Sequence, residues 1–313
     1  MHRHPLSRSD DWTVLELDVT HPPRPALRVE VTAGRRLLLR QAERVVLLGR
    51  QRAQHRGVYY CRTGQYESPL PAISAGKARG LRQTSDGAGT WAARWTHQFA
   101  AWLRAATCGP LHAGRWTLAW GMPNWAVPGH WSRLREVDPD QGHITWFGYG
   151  DPPEDARDVL PLRRLSAADA HRVKAYRRQH REGVLPPVLL WWVSGLATLL
   201  VLDGHDRLTA ALAEGAAPDV VVLAPTANPR WISAAQRQPL REYKERVAHL
   251  QNGPPGPFTA DSIAHSGRRL AADLSRIART EGRTRAWPVP GGRTAWDHLA
   301  AELATGSPLQ QAQ

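Results

Sequence analysis

The chain has few cysteines and no histidine pattern typical of a metal site. Its 313 residues include only Cys61 and Cys108, and no Cys-x-x-Cys pair occurs. We therefore expect neither a disulfide scaffold nor a structural zinc site. The 14 histidines include no His-Glu-x-x-His or comparable pair, so they predict no metal centre either.

Lysine is also scarce, although the chain is strongly basic. It occurs only three times, and the other 38 of the 41 basic residues are arginine. The formal net charge of +13 favours an anionic partner, such as a nucleotide, a nucleic acid or an acidic surface. The arginines are scattered rather than grouped, and an arginine bias beside abundant Ala, Gly and Pro is also typical of GC-rich genes. Ordinary solvated arginines therefore stay the competing interpretation.

The N-terminal residues lack the apolar stretch of a signal peptide, so we expect a cytoplasmic protein. One uncharged run, Leu185–Leu202, reaches the minimum length of a membrane-spanning helix. It begins with two prolines, and Ser194-Gly195 at its centre suits a turn. Two buried strands joined by a tight turn explain the run better, and no membrane partner is expected.

The chain is rich in tryptophan, which is typical of a folded protein. Eight of its 14 tryptophans lie between Trp91 and Trp146. Aromatic residues recur at helical spacing and predict an amphipathic helix over residues 91–107. Such a cluster more often forms a core than a surface that stacks bases or a cofactor, and both interpretations stay open.

The predicted fold class is α/β in the α+β sense, with three parts. Residues 1–150 form a Trp-rich, mainly β part of unknown role. Residues 156–235 form a small mixed-sheet domain, and residues 236–313 form a helical extension. Within the first part, Ser68–Gly89 is rich in Gly, Ser and Pro and predicts a long loop.

The most informative segment follows the apolar run. Asp203-Gly204-His205-Asp206-Arg207 stands between a predicted strand and a predicted helix over about 207–214. The N-terminus of a helix offers free N–H groups and a positive dipole end to an anion. This order of elements predicts a phosphate cradle.

Each residue of the motif has a role in such a cradle. Gly204 permits a close backbone approach, His205 donates to phosphate, and Arg207 offers a bidentate fork. Asp206 is predicted as the helix N-cap, and Thr209 is placed with the phosphate-binding residues. The competing interpretation is structural: Asp203-Gly204 forms a turn, Asp206 caps the helix, and Arg207 pairs with a nearby acid.

Residues 160–224 resemble the ParB/sulfiredoxin superfamily, whose core is a small α/β domain. The match lies in Glu182–Leu190, similar to the Gly-x-x-x-Pro opening of that domain, and in Val201–Gly215, similar to its Asp-Gly-His-x-Arg word. The wording is closest to the free-serine kinase branch. It differs from the Gly-Glu-Arg-Arg of partition proteins and lacks the sulfiredoxin cysteine.

The resemblance implies a nucleotide (ATP, ADP or CTP) with Mg²⁺, and phosphoryl transfer to a small hydroxylated acceptor. In this scheme Asp203 holds the metal or accepts the hydroxyl proton. The kinases place an acidic base just before the first helix of the domain, and Asp169 is the nearest acidic residue here. No Glu occupies that position.

Two further hypotheses belong to other functional classes. The first is a DNA-associated regulator with a nucleotide-gated switch, for which Thr259–Ile277 is the best helix-turn-helix candidate. The second is a non-catalytic interaction module that uses the tryptophans of residues 1–150 as its recognition surface.

Overall fold

The computed structural model describes residues 3–7, 13–51, 57–85, 87–123, 131, 134, 139–145, 159–252, 259–278, 282–307 and 309. These residues form both helices and strands in quantity, so the predicted α/β class is confirmed. The strands are β1 (Arg3–Ser7), β2 (Thr13–Val19), β3 (Leu27–Thr32), β4 (Arg36–Gln41), β5 (Arg44–Gln51), β6 (Gly57–Arg62), β7 (Gly114–Trp120), β8 (Gln141–Thr145), β9 (Val159–Pro161), β10 (Val188–Val193), β11 (Thr198–Asp203), β12 (Val220–Pro225) and β13 (Ala286–Pro288). The helices are α1 (Ala75–Gln83), α2 (Ala88–Ala105), α3 (His171–Arg181), α4 (His205–Ala213), α5 (Pro229–Asn252), α6 (Thr259–Ala278) and α7 (Gly292–Leu303).

The chain divides into two compact units. The first comprises Met1–Pro225 and Thr284–Gln313, and the second comprises Thr226–Arg283. The units do not follow the three predicted parts, because strands distant in sequence pair within the same sheets. Residues 151–155, which separate the first two predicted parts, lie outside the described residues.

The first unit contains a seven-stranded sheet with the order β1-β2-β7-β12-β10-β11-β9. Strands β10 and β11 form an antiparallel hairpin, in which Trp191 lies opposite Leu200. The interpretation of 185–202 as two strands and a turn is therefore confirmed. Strand β11 ends at Asp203, so the Asp-Gly-His-Asp-Arg motif begins where a buried strand ends. Across the described ranges, no helix has the length and apolarity needed to span a bilayer.

A six-stranded sheet with the order β13-β3-β4-β5-β6-β8 completes the first unit. Helix α7 packs beside it, and the Nε1 of Trp296 donates to the carbonyl of Leu37 on β4 at 2.9 Å. The C-terminal residues are thus part of this unit, since β13 pairs with β3 and Trp296 is 1% exposed.

Both sheets and α2 contribute to one apolar core. Leu39 of β4, Trp116 of β7 and Trp95 of α2 belong to it, and each is fully buried. The predicted amphipathic helix is confirmed as α2, with Trp91, Trp95 and Phe99 on its buried face. These tryptophans are core residues and not a recognition surface, because their rings are removed from solvent.

The predicted loop Ser68–Gly89 is wrong over much of its length. Residues 75–83 form α1, and α2 already begins at Ala88. Helix α1 starts after Ser74, whose hydroxyl accepts a hydrogen bond from the N–H of Lys77 at 3.2 Å. Ala78 of α1 is fully buried. The N-cap and the tertiary packing outweigh the helix-weakening glycines of the segment.

The second unit is a pair of long helices, α5 and α6, which pack against each other. Helix α6 is continuous from Thr259 to Ala278, so the predicted helix-turn-helix in 259–277 is wrong. The backbone stays helical through Gly267, and the hydroxyl of Ser266 donates to the carbonyl of Ser262 at 2.8 Å.

Candidate functional site

The motif turns the chain from β11 directly into α4. Gly204 has φ 95° and ψ 25°, a left-handed conformation that favours glycine, and it occupies the N-cap position. The N–H of Leu208 donates to the carbonyl of Gly204 at 2.8 Å. The N–H groups of His205, Asp206 and Arg207 come before this first intrahelical donor, so they have no acceptor within α4. Helix α4 begins two residues earlier than the sequence predicts, because Gly204 itself makes the turn.

Asp203 and Arg207 form an ion pair across this turn. The Nη2 of Arg207 lies 2.6 Å from Oδ2 of Asp203, and the two side chains are 3% and 14% exposed. The other carboxylate oxygen of Asp203 accepts a hydrogen bond from the hydroxyl of Ser68 at 2.6 Å. Both oxygens of Asp203 are thus engaged by donors of the chain.

The Arg207 guanidinium packs closely against the glycine. A Cβ on Gly204 would lie 2.6 Å from Nη2 and 2.9 Å from Nε of Arg207, so both the backbone angle and the close contact require glycine. The Nε of Arg207 is buried and has no hydrogen-bond partner among the described residues. A buried donor of this kind costs free energy unless a ligand or water satisfies it.

His205 is the first residue of α4 and is 2% exposed. Its Nε2 accepts a hydrogen bond from the backbone N–H of Arg163 at 3.4 Å. Burial, with the positive charges of Arg163, Arg62 and Arg207, holds the pKa of His205 well below its ordinary value. The ring is therefore neutral, and its Nε2 is an acceptor, which differs from the predicted role as a phosphate donor at this atom.

Asp206 lies inside the first turn of α4, so its prediction as the N-cap is wrong. Its Oδ1 accepts a hydrogen bond from the hydroxyl of Ser166 at 2.8 Å. Arg163 and Arg172 approach its two oxygens at 3.2 and 3.4 Å. Ser166 lies before α3, which begins at His171 after Ala170. Its hydroxyl links the segment before α3 to α4.

A small cavity lies at the start of α4. Its volume is about 30 Å³, which is room for about two waters and not for a nucleotide. It is lined by Pro71, Ala72, Ile73, Arg163, Arg172, Tyr176 and Asp203–Arg207. Residues 71–73 come from the segment before α1, so a part of the chain far from the motif in sequence closes this cavity.

The remaining predicted site residues lie apart from the cavity. Asp169 is exposed in the turn before α3 and does not line the cavity. Thr209 is one turn into α4, where its hydroxyl donates to the carbonyl of His205 at 3.1 Å. Thr209 faces a separate groove of about 500 Å³, together with Leu165, Ser166 and Leu212.

Several residues of the site were missed by sequence reasoning. Tyr66 is buried, its hydroxyl donates to the carbonyl of Leu202 at 2.5 Å, and its ring lies beside that of His205. Burial raises the pKa of the Tyr66 phenol well above its ordinary value. Ser68 and Tyr66 stand more than 130 residues before the motif, and no local pattern connects them to it. Arg163 precedes α3 and Arg172 lies in its first turn, and their basic character was the only sequence signal for them.

Comparison with known proteins adds no family to this geometry. No family model matches the chain, and no curated protein or solved structure matches it. The resemblance of residues 160–224 to the ParB/sulfiredoxin superfamily therefore rests on the motif words alone and stays a prediction.

Proposed function

We propose that the chain binds a phosphate-bearing small molecule at the start of α4, with a nucleotide as the class that the motif indicates. The observation that carries the proposal is the Nε of Arg207, a buried donor without a partner among the described residues. It stands beside three N–H groups that have no acceptor inside α4. A phosphate supplies several acceptor oxygens and a charge that the helix N-terminus stabilises.

The ligand enters this site by exchange. The Asp203 carboxylate already pairs with Arg207, and a cavity of about 30 Å³ admits part of one phosphoryl group at most. Binding therefore replaces Asp203 by phosphate oxygens on Arg207, and the nucleoside lies outside the cavity. Residues 71–73 line the cavity, and they would move away to admit the ligand.

Phosphoryl transfer to a hydroxylated acceptor is the finer part of the proposal. The hydroxyl of Ser68 donates to Asp203 at 2.6 Å, and an acceptor hydroxyl in the same place would donate to the same oxygen. The acceptor oxygen would attack the terminal phosphorus while Asp203 takes its proton. The bond between that phosphorus and the bridging oxygen would break, and the nucleotide would leave with one phosphate fewer. Mg²⁺ would be held by Asp203 together with phosphate oxygens and would neutralise charge on the transferred group. Within the described ranges no cluster of three metal-ligating side chains occurs, so the protein would supply few ligands.

Calorimetric titration with inorganic phosphate, ATP, ADP and CTP, each with and without Mg²⁺, tests binding. The decisive variant is the double substitution Asp203→Asn with Arg207→Met, which removes both charges and leaves neither buried alone. A matched control is Arg36→Met with Asp297→Asn, an ion pair of 2.8 Å whose arginine is also buried. We expect the control to bind as the wild type does and the site variant to lose binding. No binding of any ligand by the wild type at millimolar concentration, or equal binding by both variants, would refute the proposal.

Transfer is tested separately with radiolabelled ATP or ADP and small alcohols or hydroxy amino acids as acceptors. We expect Asp203→Asn to retain nucleotide binding and to lose transfer, because the amide keeps a polar group but accepts no proton. Turnover unchanged in Asp203→Asn would remove Asp203 from the chemistry while leaving the binding proposal intact.

A further inference from the structure

The second compact unit carries a row of four cations along α5. Arg230, Arg237, Arg241 and Lys244 are spaced by seven, four and three residues. At about 100° per residue this spacing keeps the four side chains within about 60° of one another, over about 21 Å of helix. The helix is continuous through Pro239, so the row is not interrupted. We call these four residues the α5 basic row.

The cations of the α5 basic row are presented to solvent. All four side chains are exposed. No salt bridge to a carboxylate of the described residues engages them, whereas the exposed Arg178 and Arg181 pair with Glu182 and Glu214. The acidic Glu242 of α5 lies off this face and accepts a hydrogen bond from Gln238 at 2.9 Å. The four residues of the row carry charge of one sign, and the exposed Glu245 borders them about 40° from Arg241 at helical spacing.

The opposite face of α5 serves its packing. Its half-buried positions are Ile232, Ala235, Gln236, Pro239, Tyr243, Val247 and Leu250. Helical periodicity centres them about 145° from the centre of the α5 basic row. Since α5 packs against α6, the row points away from that helix. The cations are therefore not needed to hold the helical pair together.

We propose that the α5 basic row binds the phosphodiester backbone of a double-stranded nucleic acid. Phosphates recur about every 3.4 Å of the duplex axis on each strand, so a row of about 21 Å passes about six of them. Residues 226–283 contain ten Arg or Lys and five Asp or Glu, so the whole unit has a positive balance. Backbone contact of this kind is independent of base sequence. The inference does not depend on the proposed function.

A lipid surface fits the row less well. A helix that lies on a membrane presents a broad apolar face beside its basic face, and the apolar face enters the bilayer. Here the apolar positions lie opposite the basic row and are used in packing against α6. Only Trp231 and Leu240 are exposed large apolar side chains of α5.

Fluorescence anisotropy with the full chain and a labelled 20-base-pair duplex of arbitrary sequence tests the proposal. The test variant replaces Arg230, Arg237, Arg241 and Lys244 by Gln. The matched control replaces Arg35, Lys77, Arg104 and Lys174, four exposed cations of the first unit, by Gln. Both variants lose the same net charge. A double variant, Arg237→Gln with Arg241→Gln, serves if the fourfold variant fails to fold by circular dichroism.

We expect the wild type to bind with a steep salt dependence. Four phosphate contacts predict a slope of log K against log salt of about −3.6, which is about 150-fold weaker binding at fourfold higher salt. The test variant should lose nearly all of this slope, the double variant about half, and the control almost none. Duplex DNA and duplex RNA are titrated in parallel, and the tighter of the two identifies which duplex is the partner.

Three results would overturn the proposal. The first is a control variant that loses as much affinity as the test variant, which indicates a diffuse charge effect. The second is binding without salt dependence. The third is binding to vesicles of phosphatidylserine and phosphatidylcholine in the absence of binding to either duplex, which assigns the row to a membrane.

Discussion

The carboxylate of Asp203 forms an ion pair with the guanidinium of Arg207, four residues later at the start of α4. The distance from Oδ2 of Asp203 to Nη2 of Arg207 is 2.6 Å. The pair is formed across a left-handed glycine, with the hydroxyl of Ser68 on the other carboxylate oxygen. The carboxylate of Asp203 thus lies where the motif predicts the phosphate of a ligand. The state described here is closed, and any phosphate ligand has to compete with Asp203.

Substitution of Asp203 by Asn should destabilise the protein and make it responsive to phosphate. The change leaves the charge of Arg207 buried without its counter-charge, which costs about 3 kcal/mol. Phosphate can then take the place of the carboxylate, so millimolar phosphate should recover part of the loss. Thermal unfolding with and without phosphate, at equal ionic strength, measures both effects.

Asp297→Asn is the control for this experiment. Asp297 pairs with the buried Arg36 at 2.8 Å and lies in the second turn of α7, whose N–H groups donate within the helix. Phosphate should therefore leave its melting temperature unchanged. Equal recovery of both variants by phosphate would show a general salt effect and contradict the site.

Gly204→Ala should close the site from within. A methyl group at this position would lie 2.6 Å from Nη2 of Arg207. The left-handed backbone also destabilises alanine by about 1–2 kcal/mol relative to glycine. Gly215→Ala is the matched control, because Gly215 has φ 77° and no neighbouring atom within 4 Å of the added methyl. We expect urea unfolding to show a loss of stability in both variants. The loss should be larger for Gly204→Ala than for Gly215→Ala, by about 1–3 kcal/mol. Only Gly204→Ala should lose phosphate binding by calorimetry.

The stability of the protein should fall at acidic pH because of His205. Burial lowers the pKa of His205 in the folded state, whereas the pKa of a histidine in the unfolded chain is about 6.5. The unfolded state therefore binds the proton first. This contribution is complete above pH 6.5 and is lost as the pH falls, by at most about 1.4 kcal/mol per pH unit, until the folded pKa is reached.

The free energy of unfolding, measured with urea from about pH 5 to about pH 8, checks this expectation. His205→Gln should flatten the pH dependence by about one proton, and His171→Gln, at the exposed first position of α3, is the control. His112 keeps a smaller slope of the same sign in every variant, since burial also lowers its pKa. An identical slope in wild type and His205→Gln would show that folding does not lower the pKa of His205.

The packing of α7 on the six-stranded sheet can be tested by substituting Trp296, with the exposed Trp231 of α5 as the control. Trp296→Ala should cost about 3–5 kcal/mol, since it removes a buried ring and its hydrogen bond to Leu37. Trp231 is 45% exposed, so Trp231→Ala should change stability by less than about 0.5 kcal/mol. Chemical unfolding of the two variants provides the comparison, and equal effects would contradict the docking of α7 on the second sheet.

Local sequence patterns predicted several elements well. Helix α2 follows from aromatic residues at helical spacing, and the β10–β11 hairpin follows from an uncharged run with a central turn. Both patterns record burial along a short stretch of chain, which is a local property. Helix α1 was missed because its glycines weaken the helical signal, and its stability depends on Ser74 and on packing of Ala78.

The sequence by itself determined the strand, the glycine turn and the helix that carry residues 203–207, because periodicity and backbone preference act within a few residues. Only the tertiary structure decided that Ser68 reaches Asp203, that residues 71–73 line the cavity, and that Asp203 rather than solvent faces Arg207. Contacts between segments more than 130 residues apart depend on how the two sheets and α2 share one core. No local pattern records that arrangement, because the free energy that selects it comes from burying all of these surfaces together.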